Sequence, residues 1–476
     1  MKRFNITGTC YPDKHFMVDT ADKLHKILGL VFQGDYFTIN RPRQYGKTTT
    51  ISLLQKKLLE MDEYLPIKIS FDGIGDTPFL SEANFCPDFL DYLSYDIAIK
   101  KSGFSELFLQ KMDNCKTFKQ LSRDLSEIIE KINRKIVLII DEVDKSSNNL
   151  LFIHFIGMLR DKFLVREDGY ATFHSVILVG VNDVKTLKMK LRAEEVTSLN
   201  SPWNIAVDFD VDMSFNPTEI ATMIDQYKAE TRVKMDTKEI SERIYFWTNG
   251  YPFLVSRLCK TVDEKIKPIP NSELKGMWKV DDIDEAVKIL LKSTNTLFDV
   301  FAKYLEDYPD LSDFLQAIIF GSKEFSFQLS VTYINLAYVY GFIKQNGNGK
   351  IKIYNKIFEE YFTDHFIAKK QFDSVKGSVG DVTQSLYMKP NGRLNFEKVL
   401  LKFQEVIKEK YTETKLLEND KFLEEDLRIL FLVFLKPIIN GIGFSFKEVQ
   451  TGEEKRLDVI VVFRDEKFVV ELKMWR

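Results

Sequence analysis

Cysteine is scarce in this chain of 476 residues. There are four, Cys10, Cys86, Cys115 and Cys259, and no two form a Cys-x-x-Cys pair. That spacing argues against a zinc ribbon and a disulfide framework, and it fits a reducing cytosol. A dominant charge is lacking too. Lys and Arg number 67 against 70 Asp and Glu, a net charge of -3. Nothing therefore draws the whole molecule to nucleic acid, although a local basic face is compatible with that balance. Long apolar runs are also absent. The longest, Leu427–Ile439, is interrupted by Lys436 and Pro437 and is too short to cross a bilayer. The amino terminus, Met-Lys-Arg-Phe-Asn-Ile-Thr-Gly, has no signal-peptide core. A cytoplasmic protein without a membrane partner is the expectation. The remaining composition, 45% hydrophobic and 29% charged, is ordinary for a globular protein with room for about three domains.

What the chain does carry is a phosphate-binding loop pattern. The β-prone run Tyr36-Phe37-Thr38-Ile39 enters it, and a helical pattern through Ile51, Leu54 and Leu58 leaves it. In that frame Arg43, Gln44, Tyr45, Gly46, Lys47, Thr48 and Thr49 would wrap a triphosphate with backbone N–H groups and a helix N-terminus. Lys47 would reach the β- and γ-phosphates, and the Thr48 hydroxyl would sit on Mg²⁺. The usual G-x-x-x-x-G-K-[ST] pattern opens with glycine. Here Arg41 stands in that place, and it would take glycine's backbone conformations only at a cost. A second motif, Lys135–Asp144, is a continuous apolar run ending in acids, as suits a parallel strand buried on both faces. Asp141 would hold the Mg²⁺ shell as a Walker B acid and Glu142 would polarise the attacking water. A third run, Ser175–Gly180, precedes Asn182, either a γ-phosphate sensor at a strand end or the start of a turn.

Asn-Arg-Pro-Arg-Gln-Tyr-Gly-Lys-Thr-Thr, Leu-Ile-Ile-Asp-Glu-Val-Asp, Leu-Val-Gly-Val-Asn-Asp and Thr248-Asn249-Gly250-Tyr251-Pro252-Phe253 follow one another in that order. Together they resemble the bacterial AAA-like ATPases, close to the signal-transducing STAND class of P-loop ATPases, over roughly residues 1–370. The resemblance implies ATP and Mg²⁺ as ligands. It also implies that a loop without a leading glycine is normal, and that Gly250-Tyr251-Pro252 is the Gly-x-Pro element found beyond the core.

The expected fold class is α/β, a P-loop ATPase with a mainly parallel sheet. We expect the core over 1–215, a helical lid over 216–293, a winged helix over 294–370, a linker over 371–393 and a further domain over 394–476. The aromatic arm 1–20 packs either near the adenine or only as a clasp on the core. Thr20 reads as a helix N-cap, and Pro66–Phe71 and Trp203–Phe209 as strands. Asn216-Pro217-Thr218-Glu219 reads as a capping box opening a helix. Leu311–Phe320 and Gln328–Tyr340 read as helices, and Asn346-Gly347-Asn348-Gly349 as a hairpin turn. Gln328–Tyr340 has no Arg or Lys, which weakens a DNA-reading role.

The last domain carries a second signal. A helix over 421–436 contains Glu424, Glu425 and Asp426, and strands follow at 444–449, 457–463 and 467–473. Alternation puts Glu471 and Lys473 on one face of a strand, with Asp458 able to sit beside them. Two carboxylates and a lysine suit Mg²⁺-dependent phosphodiester cleavage: the acids hold metal, and Lys steadies developing charge. This Asp…Glu-x-Lys pattern resembles the PD-(D/E)XK nuclease superfamily. The resemblance implies metal ligands at Asp458 and Glu471, a catalytic Lys473 and an upstream acid at Glu425. The sequence ends at Trp475-Arg476, directly after these residues, whereas the superfamily core goes on with a helix and a strand. A partial domain with an exposed edge and weak or no nuclease activity is expected.

The arginine that completes ATP hydrolysis is left among Arg43, Arg160, Arg192 and a residue of a neighbouring copy, so a homo-oligomer is one expectation. The functional expectation is a Mg-ATP switch or ATPase coupled to the nuclease-like module and acting on DNA or RNA. The alternative is a nucleotide-gated scaffold for a protein partner, without turnover.

Overall fold

The structure, a computed structural model, describes residues 1–100, 102–145, 150–181, 203–268, 277–321, 324–374, 384–410, 424–439, 442–447 and 458–472. The chain forms two compact units. One comprises Met1–Val233 with Gly250–Lys260, the other Lys234–Asn249 with Thr261–Arg476.

The first unit is built on four parallel strands, β1 (Tyr36–Asn40), β2 (Tyr64–Ser70), β3 (Lys135–Asp141) and β4 (Ser175–Gly180), in the order β1-β4-β3-β2. Their side chains are buried to both sides: Leu138, Ile140, Val176 and Leu178 join one core cluster, and Val137, Ile139, Ile177 and Val179 are equally covered. That is why the runs show no polar alternation. The cluster is rich in phenylalanine: Phe85, Phe89, Phe118 and Phe155 from three helices pack ring on ring. Each such ring contributes roughly 1.5–3 kcal/mol on burial. Beyond β1 the expected strand Trp203–Phe209 is reduced to one bridge, Phe37 with Val207, among the described residues. The carbonyls of Phe209 and Val211 instead accept from the Arg41 guanidinium at 3.1 and 2.8 Å, so the ladder does not continue there. β2 begins two residues earlier than expected, and Thr20 precedes the helix Ala21–Phe32 without a side-chain cap. Asp19 accepts from the Ala21 N–H in its stead.

The capping box at Asn216 is fully formed, with Asn216 and Glu219 exchanging bonds of 2.8 and 2.9 Å. The helix it opens, Pro217–Thr231, belongs to the first unit, where Tyr227 packs against Phe4 and Phe16 of the amino-terminal arm. The arm is fastened also by the Cys10 N–H donating to Thr49 Oγ1 at 3.1 Å.

In the second unit, Arg243 of helix Thr237–Thr248 makes a two-pronged bond to Asp284 of helix Val280–Lys292, 2.7 Å on each arm. Helices Pro309–Phe320 and Thr332–Val339 precede a hairpin of β5 (Ile343–Gln345) and β6 (Ile351–Ile353), turned at Asn346–Gly349 as expected. The following helix runs Lys356–Ser374, past the expected linker boundary at 371. Its Phe358 and Phe362 pack on Phe301, and Phe362 also on Phe342. Helix Glu424–Ile439 reaches Ile439 although Pro437 lies inside it. An antiparallel sheet closes the chain: β7 (Gly443–Lys447), β8 (Asp458–Phe463) and β9 (Glu466–Glu471), in that order.

Lys436 binds Glu360 Oε2 at 2.7 Å and Asp364 Oδ1 at 2.8 Å, joining the helices Glu424–Ile439 and Lys356–Ser374. Burial pushes the Glu360 carboxyl up to about 7 against the pull of Lys436. Removing the lysine leaves a buried acid alone. Lys436→Ala is expected to cost roughly 3–5 kcal/mol in denaturant unfolding above pH 7, and less at pH 6, where Glu360 takes up a proton. Lys436→Met with Glu360→Met is expected to restore most of the loss.

Candidate nucleotide site

The loop between β1 and the helix Lys47–Leu59 has two residues of left-handed backbone, Gln44 (φ 57) and Gly46 (φ 80). Arg41 is not among the positive-φ residues, so the expected backbone cost at that position is not incurred. Its side chain instead braces the loop. Besides Phe209 and Val211 it reaches the Asn40 carbonyl at 2.8 Å and lies over the Phe209 ring.

Lys47 is buried at 7% exposure, and its Nζ donates to the carbonyls of Arg41 and Pro42, 2.9 Å each. Burial lowers its proton affinity, Glu142, Asp144 and Asp141 oppose that, and Arg43 adds to it. Asp141 ends β3 at 3% exposure. Burial raises its carboxyl, opposed by the Lys68 charge, the Glu142 N–H, Lys47 and the nearby Thr48 hydroxyl. Loop and acid strand, some ninety positions apart in sequence, thus meet where Lys47 and Thr48 lie beside Asp141. Glu142 follows with φ 56, an uncommon conformation for a non-glycine residue, and its carboxyl is raised by burial and by Asp141 and Asp144, with Lys47 and Arg43 opposing.

Asp144 closes the acid motif, and its sequence context alone suggests no role. Its Oδ2 accepts from the Val181 N–H, tying the ends of β3 and β4. Gly180 makes this approach feasible, since a Cβ there would lie 2.9 Å from Asp144 Oδ2 and from Val143 Cγ2. Tyr251 is a second residue whose role has no local signal: its hydroxyl donates to the Arg43 carbonyl and its ring meets Tyr45 edge-on at 5.0 Å. Gly250 before it has φ 73, and an added Cβ would meet the Phe215 carbonyl oxygen at 2.0 Å, so only glycine fits. Of the other expected residues, Thr49 is engaged by the arm, and Arg160 lies elsewhere, its Nε donating to Asn204 Oδ1 at 2.9 Å. Asn182, Arg192 and Lys473 lie outside the described residues, as do the side chains of Glu425 and Asp458.

A family model described as the AAA-like domain matches residues 13–364. The chain belongs to the AAA-like domain family. Its core has the α/β fold with a parallel sheet found in P-loop ATPases. The Walker-type ATPase PABY2304 of Pyrococcus abyssi is similar at 12% identity, with a TM-score of 0.51, covering 75% of this chain and 99% of that one. The Aeropyrum pernix ORC2 protein (11% identity, TM-score 0.44, 77% and 97% covered) and the Thermotoga maritima RuvB Holliday junction branch migration motor (14%, 0.35, 76% and 96%) are also similar. Comparison with curated proteins finds no match. Among the described residues no helix is long and apolar enough to cross a membrane.

In the second unit β8 and β9 pair with Asp458 directly opposite Glu471, so these two positions share a sheet face. Glu471 is exposed, and Val469 on the same face is 54% exposed, whereas Val470 on the other is buried.

The raised Glu142 carboxyl has a consequence for the AAA-like core. The folded protein holds that proton more tightly than the unfolded chain, so stability is lost as pH rises from the ordinary carboxyl range through the raised value. Glu142→Gln is therefore expected to raise the thermal midpoint of the nucleotide-free protein near pH 7, by roughly 2–4 °C for each kcal/mol released. The gain is expected to vanish below about pH 4, where the acid is protonated in both states.

Proposed function

We propose that this chain is a Mg-ATP-dependent switch, close to the STAND class, whose core binds and hydrolyses ATP. The observation that carries the reading is that Lys47 and Thr48 of the loop lie beside Asp141 at the end of β3, which brings together the two residue types that hold a nucleotide's Mg²⁺. A hydroxyl and a carboxylate are the donors this hard cation takes from protein, the rest coming from phosphate oxygens and water. When bound, Mg²⁺ supplies charge neutralisation at the β- and γ-phosphates. The Lys47 ammonium leaves the loop carbonyls for those phosphate oxygens. The Glu142 carboxylate takes the proton of the attacking water, and its raised proton affinity suits it to that role. Asn182 positions the γ-phosphate. Arg43, Gln44, Tyr45, Gly46 and Thr49 supply the loop backbone around it.

The helices and hairpin of 294–370 act as a winged-helix relay, and the module carrying Asp458, Glu471 and Lys473 as the nuclease-like output directed at DNA or RNA. The pairing of Asp458 with Glu471 supports two metal ligands there. A role in defence against foreign DNA or in mobile-element biology fits such a design.

Mg-dependent ATP binding and hydrolysis by the wild type, Lys47→Ala and Glu142→Gln test the core. Binding is expected to be lost in Lys47→Ala. In Glu142→Gln binding is expected to survive while turnover falls by roughly 100-fold or more. ATP bound without turnover in any form would instead identify a nucleotide-gated scaffold. For the output module, weak or no cleavage of DNA or RNA is expected, and robust metal-dependent cleavage that disappears in Glu471→Gln and Lys473→Ala would identify an active nuclease instead. Cleavage unaltered by both substitutions removes the nuclease assignment.

A further inference from the structure

Arg43 stands in the phosphate-binding loop four residues before Lys47. The two carbonyls immediately before it, those of Arg41 and Pro42, hold the Lys47 amine at 2.9 Å, so this stretch lies directly beside the group that meets the phosphates. Its own backbone is fixed from the far side, where the Tyr251 hydroxyl donates to its carbonyl, and Gln44 after it is turned by a positive φ. The side chain, by contrast, is exposed, and among the described residues its guanidinium has no hydrogen bond or ion pair. Other arginines of this unit are committed: Arg41 to three carbonyls, Arg160 to Asn204, Arg166 to the Gly34 carbonyl. Arg43 is also close enough for its charge to act on both Lys47 and Glu142. Two neighbouring cations on one loop repel each other until an anion lies between them.

We propose that Arg43 acts in cis on the γ-phosphate of ATP bound to its own chain, neutralising the charge that develops there during hydrolysis. This rests on the ATPase reading above. The water oxygen bonds to the γ-phosphorus, and the bond from that phosphorus to the β–γ bridging oxygen breaks, its electron pair leaving with ADP. The water proton passes to Glu142 and on to solvent, giving ADP, inorganic phosphate and a proton. Arg43 keeps its own proton throughout and binds the equatorial γ-oxygens more tightly as charge gathers on them. Its fixed backbone and unpaired fork suit it to that role, and the neighbouring copy need not supply an arginine.

The test uses the full chain with Mg²⁺. Nucleotide affinity, single-turnover ATP hydrolysis and trapping of ADP with aluminium fluoride are measured for the wild type, Arg43→Ala and Arg43→Lys. Arg43→Ala is expected to bind ATP and ADP within about threefold of wild type, which also shows that it folds. It is expected to hydrolyse ATP at least about 100-fold more slowly and to lose the aluminium fluoride trap. Arg43→Lys is expected to recover little, because an ammonium lacks the planar fork. Unchanged turnover in Arg43→Ala, or an equal fall in binding and turnover, overturns the proposal. So does recovered activity when Arg43→Ala is mixed with Lys47→Ala, since the arginine would then act from a second copy. Absence of turnover in the wild type overturns the ATPase reading along with it, whereas wild-type turnover preserved in Arg43→Ala removes this proposal alone.

Discussion

The pairing of β4 between β1 and β3 is the constraint on which the nucleotide site depends. Asn40 lies beside Gly180, and the Arg41 N–H still bonds to the Gly180 carbonyl at 3.3 Å, so the loop leaves β1 in register with the end of β4. On the other side Ile140 lies beside Leu178, so Asp141 and Glu142 leave β3 at nearly the same level. Gly180 has no side chain, and Asp144 occupies that space and bonds to Val181. Parallel strands in register place their carboxyl ends on one rim, where ligands of open α/β sheets bind. The approach of Thr48 to Asp141 follows from this geometry and needs no further device.

That rim concentrates charge in a poorly solvated place. Lys47 and Asp141 are buried, Glu142 and Asp144 crowd the same space, and burial is the leading cause of every shift among Lys47, Asp141 and Glu142. Part of the cost is offset within the cluster, since the lysine and the acids favour each other's charged forms. Gln44 and Glu142 add left-handed backbone at non-glycine positions, a cost of order 1–3 kcal/mol each. Such local conflict gathers where a protein binds and reacts, while the surrounding sheet and its phenylalanine-rich core supply the stability that tolerates it.

Much of this was legible in the amino-acid sequence, because the signals were local. The loop with its flanking strand and helix, the uninterrupted run before Asp141, the capping box at Asn216 and the Asn-Gly-Asn-Gly turn each rest on residues close in the chain. Tertiary partners decided the rest. Trp203–Phe209 had strand composition, yet Arg41 takes the Phe209 and Val211 carbonyls, so only the Val207 bridge forms. Arg41 itself looked like a defect in a glycine position, because its partners lie some 170 residues away. The helix Lys356–Ser374 overran its expected end because residues 371–374 have no strong breaker, and composition alone read the stretch as linker. Tyr251 stood inside a recognised motif, but nothing local revealed that its hydroxyl would reach the phosphate-binding loop.

The Tyr251 contact fixes the phosphate-binding loop from a part of the chain some 200 residues away. The chain passes between the two compact units after Val233, after Asn249 and after Lys260. The segment Gly250–Lys260, which touches the loop through Tyr251, therefore continues at both ends into the second unit. At its start Gly250 is wedged against Phe215 with no room for a Cβ, so this segment has little freedom to adjust on its own. Tyr251 grips the backbone carbonyl of Arg43 rather than a flexible side chain. A rearrangement that moved that carbonyl would have to draw Gly250–Lys260 with it or break the bond. Tyr251 thus fixes the loop backbone from a segment that has no room to shift at Gly250.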